Sequence, residues 1–177
     1  MKQLVNKESY MAPESAVTLA HDTGRLDKVM TNDEPWRRHL IDSDEDIGRL
    51  IAEAKRIAVI GIKMEPDQPA YYVPEYAKRA GFQIIPVPVY YPDATEILGE
   101  PVYRRVDAIP GDVDMVNVFR RSKDVLAHVD DIIAKRPKSV WMQLGISNAE
   151  AAERLARAGI DVVQSRCLMV DMQEHGH

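Results

Sequence analysis

The residues best suited to ligand chemistry stand directly after apolar runs. Lys63 lies two positions beyond Ile57-Ala58-Val59-Ile60-Gly61, and Arg120 and Arg121 follow Val116-Asn117-Val118-Phe119. A guanidinium presents two donors to an anion at once, whereas an ammonium is a mobile point charge. Gly61, and Gly145 after Met142-Gln143-Leu144, allow tight turns whose backbone N–H groups approach phosphate oxygens. Together these residues point to a small phosphorylated ligand. Other chemistries lack their spacing. There is no G-x-G-x-x-G after the first run and no G-x-x-x-x-G-K-[ST] anywhere, so neither phosphate-binding fingerprint is present.

The histidines do not follow zinc-ligand spacing, and Cys167 is the only cysteine, which excludes an internal disulfide and a cysteine-rich metal site. Nucleophilic use of Cys167 would require an imidazole that sequence order does not place beside it. It is read as a packing residue with Arg166 directed to the surface. His128 falls on the outward side of a helix, and His175 and His177 fall in a loose tail. Asp130 and Asp131 are adjacent on a helix and diverge, so they do not form an acid–base pair.

The elements that must position the cations follow from periodicity. Ser43 and Asp46 have the spacing of a reciprocal helix cap, and Ile47, Leu50, Ile51 and Ala54 form one apolar stripe. Arg56–Gly61 then reads as a buried strand of a parallel sheet. A helix is expected over 71–80, starting at Tyr71 or Tyr72 because Pro74 belongs in a first turn, and ending at Gly81. Further strands are expected at 82–87, 114–119, 139–144 and 161–163, with Pro86 at the end of its strand. Helices are expected at 123–135, capped by Ser122, and at 148–158, with Ser147 and Glu150 as a capping box and Gly159 at the exit. The segment 89–112 is rich in turns, with a short helix around Ala94–Leu98.

This alternation predicts an α/β fold: an open, Rossmann-like parallel sheet with helices on both faces. Ligands of such sheets bind beyond the strand carboxyl ends. That rule collects the segments beginning at Gly61, Val87, Phe119 and Gln143 at one mouth. Residues 1–42 read as an N-terminal extension, in which Trp36 and Leu40 can dock and Pro35 can open a short helix; residues 43–177 form the main domain with a short C-terminal tail. Lys and Arg total 23 against 28 Asp and Glu, a net charge of −5, which disfavours nonspecific nucleic-acid binding. With no membrane-length apolar stretch and no leader pattern, the expectation is a soluble, cytoplasmic protein, for which oligomerisation is compatible.

The stretch Arg56–Gly61, the exit Ile84-Ile85-Pro86-Val87, the segment Glu96-Ile97-Leu98-Gly99-Glu100-Pro101-Val102-Tyr103, and Val116–Arg121 recur here in a characteristic order. Val140-Trp141-Met142-Gln143-Leu144-Gly145-Ile146-Ser147-Asn148 and Ser165-Arg166-Cys167 complete the series. Over roughly residues 44–171 the chain resembles the small, stand-alone coenzyme A-binding domain proteins, which are themselves similar to the nucleotide-binding part of the succinyl-coenzyme A synthetase alpha subunit. The resemblance implies binding of coenzyme A or an acyl-coenzyme A, with Gly61, Lys63, Val87, Arg120, Gln143 and Gly145 as the pocket residues. One departure stands out: the family's usual Pro-Val-Asn-Pro exit is Pro86-Val87-Pro88-Val89 here, which removes a polar side chain.

No second catalytic component accompanies the domain, so a non-enzymatic binding protein, a sensor or carrier, is expected rather than an enzyme. The alternatives are a protein-interaction domain whose pocket has degraded and a small nicotinamide-dependent oxidoreductase. NAD is disfavoured because the dinucleotide fingerprint is missing.

Overall fold

The computed structural model describes residues 34–177. The strands are β1 (Arg56–Ile60), β2 (Gln83–Val87), β3 (Glu96–Ile97), β4 (Glu100–Pro101), β5 (Met115–Val118), β6 (Ser139–Met142) and β7 (Asp161–Val163). Five of them form one parallel sheet in the order β2-β1-β5-β6-β7. The α-helices are α1 (Asp44–Glu53), α2 (Pro69–Arg79), α3 (Val129–Lys135), α4 (Ala149–Arg157) and α5 (Leu168–Glu174).

Strand alternation divides the core into two layers. Ile57, Val59, Met115 and Trp141 face α1, α2 and α5, whereas Ala58, Ile60, Val116 and Met142 face α3 and α4. Both faces of the sheet are therefore covered, and all residues of β5 and β6 are buried. This double burial is why the strands read as continuous apolar runs rather than as alternating ones. The α/β fold with a parallel sheet between helical layers agrees with the sequence reading.

Several local expectations need correction. Helix α2 starts at Pro69, not at Tyr71 or Tyr72, and carries Pro74 in its interior. Pro69 takes the first helical position, where a missing N–H costs nothing. Pro74 cannot bond back to the Ala70 carbonyl, and the Lys63 N–H takes that carbonyl instead at 3.0 Å. Around residue 96 there is no helix: β3 and β4 form a hairpin whose two connecting residues, Leu98 and Gly99, both have positive φ, 54° and 73°. That is the geometry of a two-residue turn matched to strand twist. Lys78 anchors it, donating to the Leu98 carbonyl at 2.6 Å and pairing with Glu100 at 2.8 Å.

The expected helix over 123–135 is split into a 3-10 stretch, Ser122–His128, followed by α3. Ser122 does not cap it; its hydroxyl accepts the Ser147 N–H at 3.2 Å. The cap of α4 is Asn148, whose side chain accepts the Ala151 N–H at 2.8 Å. The sequence reading passed over α5 altogether. Its Leu168 and Met172 are buried, and the His175 and His177 N–H groups bond the Asp171 and Met172 carbonyls, so the two terminal histidines are exposed but tied to the end of the helix. By contrast, Ser43 does cap α1 as expected, accepting the Asp46 N–H at 3.2 Å, while the Asp46 carboxylate returns to the Ser43 hydroxyl rather than to its backbone N–H.

Of the stretch assigned to an N-terminal extension, residues 1–33 lie outside the described residues. The remainder begins with a 3-10 turn, Pro35–His39, opened by its proline. The Arg157 guanidinium lies 4.9 Å from the Trp36 ring, and Leu40 makes a parallel bridge to Val162 on the β7 edge.

At the amino ends of the strands Asp114 joins three of them. Its carboxylate accepts the Lys55 and Arg56 N–H groups at 3.1 and 3.0 Å and pairs with Lys138 at 3.0 Å. Burial acts to raise its pKa, but these donors outweigh burial and the net shift is downward from 3.8. A carboxyl held below its unfolded value contributes stability at neutral pH that is lost as the pH falls through the folded value. Asp114→Ala is expected to lower the free energy of unfolding by about 1–3 kcal/mol at neutral pH, since two backbone donors lose their acceptor. Urea denaturation checks this, and the gap between wild type and variant should shrink in acid below the ordinary Asp range.

Candidate functional site

The strand order reverses between β1 and β5: the chain leaves β1 toward β2 on one side and continues through β5, β6 and β7 on the other. Connections diverge at such a point, and a crevice opens beyond the strand carboxyl ends. A cleft of about 450 Å³ occupies it here, lined among others by Gly61, Lys63, Arg120, Gln143 and Cys167. The volume is ordinary for a small-molecule site.

Gly61 sets the width of the crevice. Its φ is +79°, and a Cβ placed on it would lie 2.2 Å from the Phe119 carbonyl oxygen and 3.3 Å from Cδ of Arg120. Only a residue without a side chain lets the two exits approach this closely. The Gly61 N–H is held by the Val87 carbonyl at 2.9 Å and the Phe119 N–H by the Ile60 carbonyl at 2.9 Å, so both turns leave the sheet in register.

Four of the six residues expected at the pocket come together here: Gly61, Lys63, Arg120 and Gln143. Val87 and Gly145 do not line the cleft. The Val87 side chain is buried, and its contribution is the carbonyl that fixes Gly61. The Gly145 N–H is spent on the Ser165 hydroxyl at 3.1 Å, while its neighbours Leu144 and Ile146 form the wall. Gln143 is buried and tied inward: it donates to the Asn117 side-chain oxygen at 2.9 Å and accepts the Leu168 N–H at 3.4 Å. It therefore braces β5, β6 and α5 behind the wall.

The cations are differently placed. Arg120 is nearly buried, with its side chain 11% exposed; Nη1 donates to the Tyr90 hydroxyl at 3.0 Å and Nη2 stands 3.6 Å from Asp124. Its Nε is buried without a partner. Asp124 is engaged more closely by Arg121, at 2.5 Å. The Lys63 ammonium lies 4.1 Å from the Tyr90 ring centroid and 5.6 Å from that of Tyr91, and it forms no ion pair among the described residues. His128 is half-buried rather than outward-facing, and burial first, then the nearby Arg120 charge, lowers its pKa. An imidazole so placed stays neutral at neutral pH and leaves the cleft's positive charge to Lys63 and the arginines.

The sequence reading missed the opposite wall, formed by Gln68, Pro69, Ala70, Tyr72 and Val73 at the start of α2. The signal was Pro69, a residue suited to the first position of a helix. Cys167 proves to be both a packing residue and part of the cleft wall. Arg166 does not address its thiol; the guanidinium pairs with Asp171 and Asp44. A second, larger depression of about 600 Å³ lies at the opposite end of the sheet, beside Lys55, Arg56 and Asp114. Its arginine and its carboxylate are already used: Arg56 donates to the Pro110 and Asp112 carbonyls, and Asp114 accepts from backbone.

The fold is that of an open α/β domain, with a cleft at the switch point of its parallel sheet. The defining pattern of the CoA binding domain family matches residues 55–173, and this chain belongs to that family. It is 33% identical over 128 residues to the uncharacterized protein YneT of Bacillus subtilis, covering 72% of this chain and 93% of that one. The structure of a Thermus thermophilus protein, cell-free ID.343, superposes with a TM-score of 0.72 at 34% identity, covering 76% of this chain and 99% of that one. A hypothetical protein from Pyrococcus horikoshii gives 0.70 at 32%, covering 75% and 92%. The dinucleotide-forming acetyl-coenzyme A synthetase 1 of Ca. Korarchaeum cryptofilum shares the fold alone, with a TM-score of 0.56 at 24% identity over 66% of this chain and 26% of that one. What is shown is thus membership of the CoA binding domain family, with a fold shared by that synthetase, rather than a tie to the succinyl-coenzyme A synthetase alpha subunit in particular.

Gly61→Ala should be among the most damaging single substitutions in the molecule. It combines a left-handed backbone, at about 1–2 kcal/mol, with overpacking against a backbone carbonyl, at about 1–3 kcal/mol. Urea denaturation should register a loss of roughly 2–5 kcal/mol. A loss below about 1 kcal/mol would mean that the β1 and β5 exits are not held this closely in solution.

Proposed function

We propose that the protein reversibly binds coenzyme A or an acyl-coenzyme A in the cleft between the β1 and β5 exits, as a carrier or sensor rather than as an enzyme. The observation that carries this reading is the convergence of Lys63 and Arg120 on one crevice, with a guanidinium donor left unpartnered, in a chain of the CoA binding domain family. Phosphate groups suit such donors, because charge-assisted hydrogen bonds from a guanidinium are about twice as strong as neutral ones. The apolar wall of Val73, Leu144 and Ile146 suits a less polar arm.

The non-catalytic part of the reading is supported by the chemistry of the wall. Among the described lining residues there are cations, amides, the Tyr72 phenol, apolar side chains and one thiol, but no carboxylate and no imidazole, the groups most often used as general acid or base. No group of three or more His, Cys, Asp or Glu among the described residues can hold a metal ion. No helix of the described residues is long and apolar enough to cross a membrane.

A second reading, an interaction domain whose pocket no longer takes a nucleotide, draws on the exit Pro86-Val87-Pro88-Val89, where an apolar pair replaces the polar side chain of the family. Calorimetry at fixed salt with coenzyme A, acetyl-coenzyme A, dephosphorylated coenzyme A and NAD separates the two. The binding reading expects the two full-length coenzyme A ligands to bind and NAD not to. Arg120→Ala should weaken coenzyme A by about 1.5–3 kcal/mol, the range for a hydrogen bond to a charged group. Lys63→Ala should have a smaller and more salt-sensitive effect. Unchanged binding by Arg120→Ala would remove this residue from the site, and no binding of any ligand by wild type would favour the interaction domain.

A further inference from the structure

We infer that Tyr90 gates the phosphate site: in the ligand-free protein its phenol occupies Lys63 and Arg120, and a phosphate-bearing ligand binds by displacing it. The identity of that ligand rests on the coenzyme A reading above; the competition for the two cations does not.

The geometry places one aromatic side chain between both charges. Its hydroxyl accepts from Arg120 Nη1 at 3.0 Å, the Arg120 Cζ lies 5.5 Å from its ring centroid, and the Lys63 ammonium lies 4.1 Å from the same centroid. Among the described residues Lys63 has no carboxylate partner, and Arg120 only shares one. Asp124 is the closer partner of Arg121, and the nearby Glu65 accepts the Tyr91 hydroxyl at 2.6 Å. A neutral phenol is therefore the main company of two positive charges. A phosphate outbids it, because ionised acceptors bind guanidinium more strongly than neutral ones and a cation–π contact at an exposed ring is weak.

The loop is built so that Tyr90 alone can leave. Tyr91 packs against the core, its carbonyl accepts from Arg104 at 2.7 Å, and its hydroxyl is held by Glu65. Tyr90 is 52% exposed, belongs to neither core cluster and lies between Pro88 and Pro92 outside any strand or helix. Its swing costs two cation contacts and no core packing.

The test compares wild type, Tyr90→Phe and Tyr90→Ala by calorimetry with two probes, coenzyme A and inorganic pyrophosphate. Tyr90→Phe frees the Arg120 donor and should bind both probes roughly 3–10-fold more tightly than wild type. Tyr90→Ala, which also frees Lys63, should gain at least as much. A spectroscopic readout accompanies it. The Arg120 hydrogen bond holds the Tyr90 pKa below its ordinary value, so a difference titration of wild type against Tyr90→Phe should show a phenol ionising early. Saturating ligand should return it toward the normal range.

Coenzyme A binding that is equal or weaker in both variants overturns the gate and leaves the coenzyme A reading standing. If neither wild type nor Tyr90→Phe binds coenzyme A, but pyrophosphate binds more tightly to the variant, the gate stands and the coenzyme A reading falls. If no protein binds either probe, both fall.

Discussion

The Phe119 carbonyl oxygen fills the space that a side chain at position 61 would need. Because position 61 is glycine, the turns leaving β1 and β5 pack backbone against backbone. Everything chemical in the cleft follows from that contact. Lys63 is two residues from one side of it and Arg120 one residue from the other, so two cations separated by 57 positions in the chain come to share one tyrosine ring. The remaining carbonyls at this junction are in use, with Val87 holding Gly61 and Ile60 holding Phe119. Those bonds make the approach a fixed feature of the sheet.

A proline provides the second constraint. Pro74 leaves the Ala70 carbonyl without its helical donor, and the loop after β1 supplies one from the Lys63 N–H. A defect within α2 thereby becomes the point that fastens the cation-bearing loop to the helix opposite. The same bond keeps the amino end of α2 against the cleft, where the positive end of the helix dipole adds to the character of the wall.

Much of this was legible in the sequence because burial on both faces leaves an unambiguous pattern. Runs such as Arg56–Ile60 and Val116–Val118, each ending in a glycine or a cation, announce parallel strands and the end at which a ligand binds. What could not be read depended on partners distant in the chain. The start of α2 was misplaced because the acceptor freed by Pro74, the Ala70 carbonyl, is satisfied by Lys63, seven positions before it, outside any local rule. The β3–β4 hairpin was hidden because Leu98, an unusual residue at positive φ, takes a turn position that Asn or Asp more often fills. Val87 and Gly145 were assigned to the site from the strand-end rule and their places in a family motif, but whether such a residue faces the cleft or braces it is decided by hydrogen bonds to Gly61 and Ser165. Tyr90 carries no sequence signature at all; its role arises only where the two exits meet.

The central claim is that a phosphorylated ligand of the coenzyme A type sits at the junction of β1 and β5. The most direct measurement is amide chemical-shift mapping of the full chain during titration with coenzyme A. The account predicts that the largest changes fall on Gly61 to Ala70, Phe119 to Arg121 and Gln143 to Ile146. Perturbations centred instead on Lys55, Gln83 and Asp114, at the opposite end of the sheet, would contradict it.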